Sequence, residues 1–122
     1  NHGFEVCAFE VAPSRRAYAI ERLGVAVAAD MEEVVYNEQE AFDCFFSAHV
    51  LEHVPCPAQS FEYALRLLKP NGLFVAFTPN GSASHRLVDR NWSRLWGDVH
   101  PNFIDDIFLD KSFEAVPRAM GS

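Results

Sequence analysis

An α/β fold, arranged as a doubly wound, mostly parallel sheet flanked by helices, is what this sequence predicts. Short apolar runs alternate with segments of helical spacing, the crossover lengths suit β-α-β units, and the apolar runs end on polar or acidic residues. The 122 residues suffice for one domain and not two. A core over 1–80 is expected, followed by an irregular or helical segment over 81–122.

The first expected strand is Phe4 to Phe9, closing on Glu10. A turn through Ala12 and Pro13 follows, and Ser14 is the expected N-cap of a helix to about Leu23. That helix carries Ala17, Ile20 and Leu23 on one face, with Gly24 just past its end. Val25 to Asp30 reads as the second strand. Residues 31–41 fit either a short helix or a loop.

Phe42 to Ser47 is nearly all apolar, the pattern of a parallel strand covered on both faces. A helix beginning at Pro57, Ala58 or Gln59 then carries Phe61, Ala64, Leu65 and Leu68 at helical spacing. Lys69 suits its C-terminal end, and Pro70–Asn71–Gly72 should stop it. "LFVAFT", ending at Thr78, is the fourth strand. Beyond it a helix over Ser84 to Asn91 is expected, and Trp92 and Trp96, four apart, fit one helical face over the sheet edge.

The chain is acidic, 17 Asp and Glu against 10 Lys and Arg for a net charge of −7, which argues against nucleic acid as a partner. Cys7, Cys44 and Cys56 form no C-x-x-C pair and sit in or beside apolar runs, so they are expected as buried thiols in a reducing, cytoplasmic setting. No apolar run reaches the length of a membrane span, and no signal-peptide pattern opens the chain.

In an open parallel sheet, ligands bind beyond the carboxyl ends of the strands. Glu10, Asp30, Ser47 to His49 and Thr78 to Asn80 all fall at such ends. Glu10 could accept hydrogen bonds from ribose hydroxyls or be an exposed turn carboxylate. Asp30 with Met31 could meet an adenine or be a solvent-facing acid beside a core thioether. Asn80 could orient a polar substrate group or simply belong to a turn.

His49, Glu52 and His53 form H-x-x-E-H, which would face one side of a helix if the segment is helical, although Pro55 limits that helix to about a turn. Three readings stay open. The group could hold a divalent cation, with His100 as a distant fourth ligand. His49 or His53 could be a general base, or the residues could bond only to one another. The site is read without a resident metal, and His49 and His53 are the expected catalytic pair.

The run Phe42 to Asn80, with a strand opening on Asp43, then "LEH" at Leu51 to His53, a helix ending in Lys69–Pro70–Asn71–Gly72 and a strand ending at Pro79–Asn80, closely resembles class I methyltransferases of the small-molecule and ubiquinone-biosynthesis type. Gly3, the strand to Glu10 and "AAD" at Ala28 to Asp30 extend the likeness upstream. This resemblance implies a Rossmann-like fold and S-adenosylmethionine as cofactor. Glu10 would bind its ribose hydroxyls, Asp30 and Met31 its adenine, and Ser47, Ala48 and His49 would line its methionine side. In some relatives an E-x-x-E-H pattern with a distant His holds a divalent cation; His49 stands here where their first Glu does.

The resemblance also implies a first strand, helix and glycine-rich turn that would precede Asn1, so the domain is expected to be truncated. The absent strand would be central, beside the strands ending at Glu10 and Ser47. Those two could then pair directly, a second copy could complete the sheet as a homodimer, or the chain could be part of a longer protein. The function expected is methyl transfer to a small-molecule acceptor. The alternative is a non-catalytic, self-associating remnant; a nicotinamide enzyme is disfavoured because its glycine fingerprint is not present.

Overall fold

The computed structural model describes residues 3–91 and 100–114, which form an α/β protein of short parallel strands and helices. Two compact units divide the chain, Asn1–Gln39 and Glu40–Ser122.

In the first unit, β1 (Cys7–Phe9) pairs in parallel with β2 (Ala26–Ala28), Ala8 opposite Val27. Each has three residues, so the expected strands were too long: residues 4–6 lie outside the ladder. The crossover is α1 (Pro13–Tyr18) continued by a π-helical turn, Ala19–Leu23. Ser14 is not the N-cap. Pro13 fills the first turn, where a missing N–H costs nothing, and Ala12 precedes it without a side-chain cap. Gly24 ends the helical run as expected, its φ of 64° being the left-handed geometry glycine tolerates. The apolar face at Ala17, Ile20 and Leu23 is exposed.

Residues 31–41 resolve into a helix, α2 (Met31–Asn37). Asp30 starts it: the side chain accepts the Glu32 N–H at 2.9 Å, and Glu32 and Glu33 place negative charge on the positive end of the helix. Val35 is the buried residue it contributes.

In the second unit, β3 (Phe42–Ala48) pairs in parallel with β4 (Leu68–Phe77). Between them runs α3 (Pro57–Leu67), with Pro57 in its first turn. Lys69–Gly72 do not form a turn between helix and strand as expected. Leu68 already pairs with Phe42, and the register resumes at Cys44 opposite Leu73, so the segment is a bulge in β4 with Asn71 at a φ of 66°. Lys69 is held there by Asp43, both carboxylate oxygens at 2.9 Å.

Period-two alternation puts Phe45, Ser47, Phe74 and Ala76 on one sheet face. Phe61 of α3 covers it, 4.8 Å from the Phe74 ring. α4 (Ala83–Val88) follows, shorter than the expected helix over Ser84 to Asn91 and capped by Ser82, and α5 (Asp106–Glu114) brings Phe108 and Phe113 against Phe61. Leu51, Phe61 and Ile104 form the buried core of this unit. The opposite face is open: Phe46, Leu73 and Phe77 are more than half exposed, so β3 is covered on one face and not two.

Each unit carries one two-stranded parallel sheet, β1-β2 in the first and β3-β4 in the second. All three cysteines are exposed and free, contrary to the expectation of burial. Cys7 is still partly desolvated, which pushes its thiol pKa up, and Glu38 adds to the effect. Trp92 and Trp96 lie outside the described residues.

Candidate functional site

The carboxyl ends of β1 and β2 carry Glu10 and Asp30. Parallel pairing holds them on adjacent strands, and the Glu10 N–H donates to Ala28 O at 3.1 Å. Glu10 Oε1 accepts the Ala12 N–H at 2.8 Å, while Oε2 lies 3.9 Å from Arg15. The carboxylate therefore braces the entry to α1, with lone pairs to spare. Asp30 is an exposed N-cap, and Met31 opens α2, half-buried.

At the ends of β3 and β4 a tighter group forms. Ser47 is buried on the core-facing side of β3, Ala48 is exposed, and His49 follows at a φ of 54°, its N–H donating to Phe77 O at 2.8 Å. That left-handed backbone is uncommon in a non-glycine residue; it ends the ladder and turns the chain towards Glu52. Residues 51–53 make a turn and not the helix that H-x-x-E-H allows, yet His49 and Glu52 still meet.

Glu52 is the centre of the group and is fully buried. An unpaired carboxylate there would be strongly disfavoured. Its Oε2 accepts from Thr78 Oγ1 at 2.9 Å, and its Oε1 lies 3.3 Å from His49 Nδ1 and 3.9 Å from His53 Nε2. The His49 side chain is 70% exposed, so one end of the ring faces a buried carboxyl group while the ring as a whole remains accessible.

The His53 and His100 ring centroids are 4.5 Å apart, and Glu52, His53 and His100 can each offer a ligand atom within 4.8 Å of the others. His49 stands outside that trio. Thr78, expected only as a strand end, supplies the hydroxyl that holds Glu52. Asn102 had no sequence signal at all. Its backbone N–H donates to Glu52 O at 3.3 Å and its side chain donates to Val54 O, tying the His100 segment to the 51–54 turn. Asn80 is occupied in a turn, accepting the Ser82 N–H at 2.9 Å.

A family model described as a methyltransferase domain matches residues 1–76, more than half the chain. The chain belongs to the class I methyltransferase family. No curated protein and no solved structure matches it. The methyltransferase match takes in Glu10, Asp30, His49, Glu52 and His53 and ends before Thr78, so Thr78, Asn80, His100, Asn102 and α5 lie beyond it. Among the described residues no helix is long and apolar enough to cross a membrane.

Proposed function

We propose that this methyltransferase domain transfers a methyl group from S-adenosylmethionine to a small-molecule acceptor, with His49 as the base that takes the acceptor's proton. One observation carries the reading: a fully buried carboxylate, Glu52, is fixed by Thr78 and aimed at the exposed His49 ring at the carboxyl ends of two parallel strands. Parallel strands joined by helical crossovers in each unit support a Rossmann-like, doubly wound order for the fold.

Taken unit by unit, the residues at the strand ends have chemistry that suits parts of such a cofactor. Glu10 retains acceptor capacity for ribose hydroxyls beside its bond to Ala12, and exposed Asp30 with half-buried Met31 offers an acceptor and a polarizable surface for adenine. Ser47, Ala48 and His49 would line the methionine end. When bound, S-adenosylmethionine supplies a methyl group activated by its sulfonium. Glu52 favours the His49 tautomer with Nδ1 protonated, which leaves Nε2 to accept a proton from an acceptor hydroxyl or amine. Catalysis beyond that is positioning. Three unpaired cysteines are consistent with a reducing, cytoplasmic setting.

Calorimetric titration with S-adenosylmethionine and its demethylated product tests the reading. A dissociation constant below about 100 μM, roughly −5.4 kcal/mol, is expected, and Glu10→Ala should weaken it. No heat, together with a dimer in light scattering, would replace the reading with that of a self-associating binding protein.

The clustering of Glu52, His53 and His100 favours a second reading at the same place, a divalent cation held by these three side chains. Metal analysis after dialysis against zinc or manganese separates the two: stoichiometric metal lost in His100→Ala supports the cation, and its absence leaves the proton-transfer reading.

A further inference from the structure

We propose that the cavity between the loop after β4 and the start of α5 is the acceptor site, and that it selects a small neutral or cationic acceptor bearing a hydroxyl or amine over an anionic one. This rests on the methyl-transfer reading for its role, though not for its binding chemistry. The cavity measures about 380 Å³, within the range of small-ligand sites.

Its walls are built and not incidental. Gly81 lies so close to the facing segment that a Cβ there would stand 2.7 Å from the Phe103 backbone. The Gly81 N–H donates to Ile104 O at 2.8 Å and fastens the two sides together. Thr78 lines the cavity and also donates to Glu52, so the cavity adjoins the Glu52–His49 group.

The lining decides the ligand class. Asn80 and Ser84 offer neutral hydrogen-bonding groups, Leu109 gives an apolar wall, and Asp105 and Asp106 supply two carboxylates. Among the described residues that line it there is no Lys, Arg or His. An anionic acceptor would lose its hydration opposite two like charges, whereas an ammonium or hydroxyl meets acceptors. Asp105 is also fixed in place, since its Oδ1 accepts the Phe108 N–H at 2.7 Å at the start of α5.

The experiment uses three probes sharing one skeleton, 2-phenylethylamine, 2-phenylethanol and phenylacetate, titrated into the ¹⁵N-labelled full chain and followed by amide shifts. The amine and alcohol should shift the amides of Asn80, Ser84 and Leu109. The carboxylate should bind at least about tenfold more weakly than the amine. The Asp105→Asn/Asp106→Asn variant keeps a capping side chain and should bring amine and carboxylate to within about twofold. Equal binding of amine and carboxylate by the native chain, shifts confined to other residues, or a preference surviving in the variant would overturn the proposal. Cofactor titration is read separately. Selective probe binding without S-adenosylmethionine binding would sink the methyl-transfer reading and leave the cavity's selectivity standing; cofactor binding without probe selectivity would do the reverse.

Discussion

Glu52 is a costly residue to bury, and its environment shows how that cost is offset. One oxygen has the Thr78 hydroxyl, and the other has His49 and His53 within 4 Å. Replacing Thr78 by Val keeps the shape but leaves Oε2 buried without that donor. We expect a loss of about 1–3 kcal/mol in urea unfolding, with Thr78→Ser close to native. A Val variant as stable as the native chain would show that Thr78 does not carry this oxygen. The sequence made the H-x-x-E-H group visible because it places a carboxylate and two imidazoles within five residues. It did not show which of them is buried, since that depends on Thr78 and Asn102, which are distant along the chain. The same limit explains the cysteines: their apolar neighbours suggested burial, but Cys44 alternates onto the open face of β3, and apolar neighbours in sequence point to the other side.

Elements were legible where local chemistry determines them. Asp30 could be read as a strand end but not as a cap, because the sequence left 31–41 open between helix and loop; the cap bond to Glu32 decides it. Lys69–Pro70–Asn71–Gly72 carries every local mark of a helix stop, and the helix does stop, at Leu67. What the residues could not reveal is that Leu68 pairs at once with Phe42, turning the loop into a bulge inside β4. The segment after β4 was harder still, since its order comes from one close backbone approach. Gly81→Ala should therefore disturb it strongly: the added methyl meets backbone atoms of Phe103 and Ile104 that no rotamer change can move. A destabilisation of at least about 1–3 kcal/mol is expected, with loss of the native amide shifts of Ile104 and Leu109. A variant with native stability and shifts would mean the loop and the facing segment separate freely.

At the scale of the molecule the two units differ in how they are held. The second has a contiguous core of Leu51, Phe61 and Ile104, reinforced by stacked and edge-on contacts among Phe45, Phe61, Phe74, Phe108 and Phe113. The first has three-residue strands, a helix with no buried side chain, and Val35 as its buried hydrophobic residue. Burial of apolar area is the main favourable term in folding, so the free energy needed to open the backbone should follow this division. Hydrogen–deuterium exchange of the full chain should show amides in β1 and β2 exchanging at least about tenfold faster than those of Cys44–Ala48 and Leu73–Phe77, a gap of about 1.4 kcal/mol or more in opening free energy. Equal protection would mean that the chain unfolds as one cooperative body. If the methyl-transfer reading holds, S-adenosylmethionine should slow exchange around Glu10 and Asp30, because a ligand bound only to the closed form stabilises it by mass action; unchanged exchange there under saturating cofactor would remove these two residues from the proposed site.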